Sequence, residues 1–461
     1  MLFAAGLLGL ALTMSPGPWF ADITDKAGIP SLRHGEGVNA VDINCDGAPD
    51  LFLPCVRDHG LLLLNRDGVF EDVTEAAGLL EKGGVGAAVG DLNGDARPDL
   101  YIARGANPYV APNLVYLQNP DGSFHNASTA VGVAGHSSGL SVVLADFSGD
   151  GHREAFLPGW GRDLFFTNNG RGDFVETSKA AGLTHNGRGW SSLASDFDGD
   201  GRLDIFATYG SFAEPRDNRL YLNRGAGKFD EVTIASGLAA SPWSLGAVSA
   251  DFDNDGDFDL YVSGYGGAGK LYRNEGGARF TDVSRGSGLT AVKCVGVSAG
   301  QVDGDLLPDV VVGGFAGPAR VYKNLGDMKF IEVTHAGLQD FNRNEGLTLA
   351  DLDDDGDLDL YISNVDGHNR LYANRLDDKR FLKVVFGCSS VVLEGAVARL
   401  SRDGHLLAVQ ELAGAIGMGQ GPMEFLFRLP DAGPFDLAVT LPDGRNIKKL
   451  GLEPGVLSLQ P

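Results

Sequence analysis

The sequence predicts an all-β fold: a seven-bladed β-propeller of four-stranded blades, followed by a small C-terminal β-domain. Three observations predict it. A nine-residue aspartate-rich segment occurs seven times, successive copies start 49 to 55 residues apart, and the 461 residues include 67 glycines and 20 prolines. A period near 50 residues suits a four-stranded blade and exceeds that of helical-hairpin repeats. Abundant glycine and proline beside 43% apolar residues point to many turns between short strands rather than to disorder.

The copies run Asp42–Asp50, Asp91–Asp99, Asp146–Glu154, Asp196–Asp204, Asp251–Asp259, Gln301–Asp309 and Asp351–Asp359. Five positions before each stands a small residue: Gly37, Gly86, Ser141, Ser191, Gly246, Gly296 or Gly346. Innermost strands converge on a propeller axis, where a missing side chain lets backbones approach. After each loop comes an apolar, β-branched or aromatic strand such as Asp259-Leu260-Tyr261-Val262. A third strand ends on asparagine, as in Leu220-Tyr221-Leu222-Asn223, and a fourth alternates, as in Phe70-Glu71-Asp72-Val73-Thr74, which suits a half-wet outer edge. A further copy of the fourth strand, Phe20 to Thr24, precedes the first loop and is expected to complete the last blade, covering an edge and closing the ring. The propeller is thus placed at residues 19–378 and the β-domain at 379–461, where strand-like runs at Phe381 and Leu437 replace the repeat. Met1 to Leu12 is apolar and too short to span a bilayer; with residues 1–18 it reads as an export signal, or alternatively as a buried N-terminal segment. No other stretch reaches transmembrane length.

The loops carry the chemistry. Carboxylates at positions one, three, five and nine, with a carbonyl at seven, form an all-oxygen donor set of the kind that surrounds calcium, and glycine at six permits the positive-φ turn around the ion. The residue eleven after Asp196 is Ala207, so the bidentate glutamate of an EF-hand is absent. Net charge is −24, and 27 of the 61 acids lie in these loops, which repel themselves unless a cation is present. The alternative, aspartates that only cap turns, weakens with seven copies in register. Asp196, Asp198, Asp200 and Asp204; Asp251, Asp253, Asp255 and Asp259; and Asp351, Asp353, Asp355 and Asp359 are complete ligand sets. Asp42, Asn44, Asp46 and Asp50, and Asp146, Ser148, Asp150 and Glu154, substitute a neutral oxygen at position three, as do Asp91, Asn93, Asp95 and Asp99. Ala96 and Leu306 replace the glycine at a cost of about 1 kcal/mol or more, and Gln301 opens the sixth loop, which makes that loop the vacant one. Five to six calcium ions are expected.

The same composition excludes other classes. A charge of −24 argues against nucleic-acid binding. Cys45, Cys55, Cys294 and Cys388 show neither metal-ligand spacing nor a disulfide framework. Zincin and phosphate-loop motifs are missing, so a non-enzyme is expected. Arg171-Gly172-Asp173, an integrin-recognition tripeptide, falls in a third-to-fourth-strand turn, where chance composition also produces it; Asn126-Ala127-Ser128 is a glycosylation sequon.

The Phe-x-Asp-Val-Thr and Asp-x-Asp-x-Asp-Gly-x-x-Asp-Leu-Tyr segments over residues 20–375 resemble FG-GAP/VCBS repeats, which occur in integrin α-chain heads. The tail, with Arg380-Phe381-Leu382-Lys383-Val384, Gly395-Ala396-Val397-Ala398-Arg399-Leu400 and Thr440-Leu441-Pro442-Asp443-Gly444-Arg445, resembles the ASPIC/UnbV domain, a pairing found in the cartilage-acidic-protein family and its bacterial relatives. The resemblance implies a secreted, extracellular, calcium-binding protein whose partner is another protein or a matrix component, in a cell-adhesion role, with loops of one propeller face presented to it. A second reading is a glycan-binding propeller using Trp160, Trp190 and Trp243, residues that packing explains equally; a third is a calcium-dependent polysaccharide-degrading enzyme.

Overall fold

The computed structural model describes residues 18–30, 35–105, 111–136, 139–210, 217–238, 244–339, 342–375, 380–388, 391–413 and 419–461. The apolar run of residues 1–12 lies outside them, as does Trp243. Among the described residues strands dominate, with one short helix, Ser178–Ala181, and no helix long and apolar enough to cross a membrane.

Seven blade-like antiparallel sheets follow one another. Their inner strands are Asn39–Val41, Gly86–Gly90, Val143–Ala145, Asn186–Ser195, Ser244–Ala250, Cys294–Gly300 and Asn344–Ala350, and the other strands of each follow outward in chain order. The fourth sheet gains an extra strand, Trp160–Arg162, from the preceding repeat, paired through Trp160↔Arg188. In the seventh, the outer strand is Phe20–Asp22, in register Phe20↔Asn374, Ala21↔Ala373 and Asp22↔Tyr372. Inner strands touch in cyclic order, and that of the seventh sheet touches that of the first.

Crowding at this centre explains the small residues. A Cβ on Gly296 would lie 2.6 Å from the Glu345 carbonyl oxygen, one on Gly346 would lie 2.5 Å from that of Glu36, and one on Gly246 would strike that of Val295. Each glycine therefore faces the next repeat, and Gly346 faces the segment entering the first. Second strands such as Asp99–Ala103 and Asp259–Gly264 are buried throughout because a neighbouring sheet covers each face. At the rim, Thr74 donates from both N and Oγ1 to Asp72 Oδ1, at 3.0 and 2.6 Å. Asn126 and Ser128 make the same turn in the second sheet, so the sequon has a local structural role.

Residues 381–461 form two further sheets. In one, Phe381–Phe386 lies between Glu424–Arg428 and Gly455–Leu459; the other is ordered His405–Glu411, Val397–Arg402, Phe435–Thr440, Asn446–Leu452. Leu382, Val384, Phe425, Phe427, Leu437 and Val439 fill the space between them. This C-terminal unit packs on the side of the ring that carries the aspartate loops, which corrects two expectations. Cys45 in the first loop is joined to Cys388 by a disulfide, a link between segments 343 residues apart that spacing could not reveal, while Cys55 and Cys294 remain buried thiols. Nor does the loop-bearing face stand open to a partner. Arg153 of the third loop forms a buried ion pair with Glu394 at 2.8 Å, Asp196 N donates to Glu411 at 3.0 Å, Asn254 Nδ2 donates to the Leu407 carbonyl at 2.9 Å, and Arg428 N donates to Gln301 Oε1 at 3.0 Å.

Candidate metal centre

Each loop wraps on its own carboxylates. In the fifth, Asp251 Oδ1 and Oδ2 accept from the amides of Asp255 and Gly256, both at 3.0 Å, and Asp255 Oδ1 accepts from Asp257 N at 3.0 Å. Asp42, Asp91, Asp146 and Asp196 repeat the position-one pattern. The wrap needs left-handed backbone at position six, found at every copy including Ala96 (φ 64°) and Leu306 (φ 69°). It needs it at position four as well, where Gly94, Gly149, Gly199 and Gly304 alternate with Cys45, Asn254 and Asp354.

Position nine plays a part the ligand pattern did not anticipate. Asp259 Oδ2 accepts from Phe252 N at 2.9 Å and Oδ1 from Asn274 N at 2.8 Å, bracing the loop against the third strand. Asp50, Asp99, Asp204, Asp309 and Asp359 do the same. The third-strand asparagine then reaches the preceding sheet: Asn65, Asn168, Asn223, Asn274, Asn324 and Asn374, with Gln118 in the second sheet, donate to the carbonyls of Leu352, Leu92, Phe147, Phe197, Phe252, Val302 and Ile43 respectively, at 2.8 to 3.0 Å. Seven side-chain clips thus tie each loop to the next sheet, and the clip from Asn65 to Leu352 closes the circle. The recurring asparagine at the end of strand three was the visible signal.

Four loops bring carboxylates together with ligand atoms all within 4.8 Å: Asp146, Asp150 and Glu154; Asp196, Asp198 and Asp204; Asp251, Asp253 and Asp255; Asp351, Asp353 and Asp355. Asp200, Asp259 and Asp359 stand beside these clusters in the same loops. The donors fit a hard cation, being oxygen only. Buried Glu154 Oε1, Asp253 Oδ1 and Ser148 Oγ have no hydrogen-bond partner, which leaves lone pairs for an ion. In the first and second loops Asp42 and Asp46, and Asp91 and Asp95, are accompanied by Asn44 and Asn93, whose side-chain oxygens already accept from the amides of Asp46 and Asp95. Basic side chains meet part of the charge at the rims, through Arg97 with Asp95, Arg202 with Asp200, and Arg66 with Asp46.

Electrostatics shows the remaining deficit. Burial, aided by neighbouring aspartates, pushes the Asp50, Asp99 and Asp251 carboxyls up to about 7 and those of Glu154, Asp204 and Asp259 to about 8. Burial also raises Asp42, Asp196, Asp198 and Asp253. A divalent ion among these groups would supply the positive charge that they lack.

The sixth and seventh loops hold protein cations. Lys323 Nζ, from the third strand of its own sheet, pairs with both Asp303 and Asp305, and Gln301 Nε2 donates to the Leu306 carbonyl. Leu306 itself, 6% exposed, enters the apolar core of the C-terminal unit. That burial, of order 2 kcal/mol, offsets a left-handed strain of about 1–2 kcal/mol. At the seventh loop Lys383 reaches in from the C-terminal unit.

Of the other singled-out residues, Arg171 and Asp173 are exposed, with Asp173 accepting from Asn169 Nδ2 at 2.7 Å. Trp190 is buried with Leu140, Leu245 and Val295 at the far end of the ring centre, where Trp160, Tyr265 and Phe315 are half-buried; Arg188 stacks on Trp160 and Arg343 on Phe315.

The matched repeats now define the class. Residues 42–102, 149–207, 196–262, 251–312 and 301–362 each match the FG-GAP-like repeat, together more than half of the chain. The protein belongs to the FG-GAP-like repeat family. Solved structures similar to it include an Agrocybe aegerita lectin described as recognising non-reducing terminal N-acetylglucosamine (20% identity over 65% of this chain and 79% of that one, TM-score 0.42). Others are BBS1N in complex with ARL6DN (12%, 78% and 98%, 0.49) and Saccharomyces cerevisiae Sqt1 (10%, 92% and 98%, 0.45). No curated protein sequence matches the chain significantly.

Proposed function

We propose that this chain is a non-catalytic, extracellular interaction module: a seven-bladed propeller over residues 19–378, stabilised by calcium in its aspartate loops, with an ASPIC/UnbV-like domain over residues 379–461 docked on those loops. The observation that carries the reading is the set of all-oxygen carboxylate clusters in the third, fourth and fifth loops, with buried, unpartnered oxygens beside them. The first and second loops, with asparagine in place of one carboxylate, are weaker sites of the same kind. The partner is a protein or matrix component. Because the C-terminal unit covers the loop side, the surface offered to it is the opposite end of the ring, where Trp160, Tyr265 and Phe315 are half-buried with Arg188 and Arg343 across them.

Thermal unfolding in 1 mM calcium against EDTA tests the metal reading. A site with a dissociation constant of about 10⁻⁴ M contributes about 1.4 kcal/mol at that concentration, so three strong sites add about 4 kcal/mol. Asp253→Ala should remove about a third of the difference. Identical melts in the two buffers would falsify the reading.

A further inference from the structure

We propose that the seventh loop takes its cation from the protein itself: the Lys383 ammonium, delivered by the C-terminal unit, stands in for a divalent ion, so that docking of that unit and metal binding at this loop exclude each other. The inference rests on the calcium reading above and concerns which loop departs from it, and why.

By ligand count the seventh loop is the richest of the seven, with six carboxylates in nine residues. Yet Lys383 Nζ lies 3.0 Å from Asp351 Oδ2 and 3.0 Å from Asp354 Oδ1, with Glu424 at 3.5 Å, and its side chain is 2% exposed. In the first five loops the corresponding position-one oxygen accepts only from the amide at position six. Here the ammonium sits on that oxygen. A second cation follows it: Arg428 Nη1 donates to the Gly356 carbonyl at 2.6 Å, and the Phe381 ring fills the space that a side chain at Gly356 would need. Lys383, Phe381 and Arg428 thus seat the C-terminal unit on this loop. A divalent ion among Asp351, Asp353 and Asp355 would share the Asp351 carboxylate with a buried ammonium and be repelled by it, in surroundings where screening is weak.

Lys383 leaves other donors unused. Asp357, 1% exposed, has Oδ1 without a hydrogen-bond partner, and Asp353 and Asp355 keep their places in the cluster, so the loop remains able to hold an ion once the ammonium is gone. Lys323 at the sixth loop differs in origin, since it comes from the same sheet as the loop and cannot leave by undocking.

Equilibrium dialysis of the full chain against calcium, counting ions per chain, tests this. Lys383→Gln should bind one more ion than the wild type, Lys383→Arg should bind the wild-type number, and adding Asp353→Asn to Lys383→Gln should abolish the gain. Asp353→Asn alone, which leaves the Lys383 pairs intact and remains informative if Lys383→Gln misfolds, should leave the wild-type count unchanged. An unchanged count in folded Lys383→Gln, or the loss of an ion in Asp353→Asn, overturns the proposal. A wild type that binds no calcium at any loop refutes the broader metal reading instead, a result distinct from either of these.

Discussion

Raising pH should destabilise the metal-free protein and leave the calcium-loaded protein nearly unaffected. The relevant groups are the position-nine carboxyls, held by burial at about 7 in Asp50 and Asp99 and about 8 in Glu154, Asp204 and Asp259, against about 4 in an unfolded chain. A folded-state pKa above the unfolded one means that the native state binds more protons between these values. Stability without metal is therefore fully present below pH 4 as far as these groups are concerned, and is lost as pH rises from about 4 towards 8. A shift of three to four pH units corresponds to about 4–5 kcal/mol for one group. Discounting half for relaxation and water entry leaves about 2–3 kcal/mol per group, and five such groups together are comparable to the whole stability of a typical domain. With calcium bound, the native carboxylates are ionised at all these pH values and the dependence disappears. Melting curves from pH 5 to 8.5 in EDTA should show a steadily falling midpoint, and the same series in calcium a flat one. Parallel curves in the two series would refute the link between buried loop charge and metal.

Two perturbations test the scaffold beneath the loops. Asn274→Ala removes the clip to the Phe197 carbonyl and the bond to the Phe258 carbonyl, 2.8 and 3.1 Å long, and should cost about 2–4 kcal/mol because two buried acceptors lose their donor, read as a lower denaturant midpoint with calcium present. Leu306→Gly relieves left-handed strain of about 1 kcal/mol but empties a leucine-sized space in the C-terminal unit, so the midpoint should still fall, by about 1–3 kcal/mol net; a rise would show that the strain outweighs the packing.

The repeat was legible because its cause is local. Glycine at position six, a small residue at the crowded centre and the Phe-x-Asp-x-Thr edge each answer a constraint lying within one sheet or between adjacent sheets, and those constraints recur every 50 residues or so. The brace at Asp259 was hidden because a carboxylate reads the same whether it faces an ion or two amides. The asparagine clips were visible as letters but not as bonds, since their acceptor lies over 70 residues away. Lys323, Lys383 and the Cys45–Cys388 link escaped for a different reason: each occurs once, and an argument from repetition cannot see a feature that does not repeat.

Most departures from the loops' glycine pattern nevertheless share one destination. Position four requires left-handed backbone, and four loops meet it with glycine at no steric cost. The three that do not, Cys45, Asn254 and Asp354, with φ of 63°, 57° and 57°, all point to the C-terminal unit: Cys45 bonds to Cys388, Asn254 donates to the Leu407 carbonyl, and Asp354 pairs with Lys383. At position six, Leu306 enters that unit's core, while Ala96, the other exception, stays exposed beside a loop whose position four is Gly94. At position one, the sole residue without a carboxylate, Gln301, accepts from Arg428 N. Left-handed backbone costs about 1–2 kcal/mol at a residue such as Cys45 or Leu306 and less at Asn254 and Asp354, whose residue types tolerate it; at Cys45 and Leu306 the contact with the C-terminal unit offsets the strain. The irregularities of the loops therefore mark where the docked unit enters the turns themselves, whereas the third and fourth loops, with glycine at both positions, meet that unit through Arg153 and the Asp196 amide without departing from the pattern.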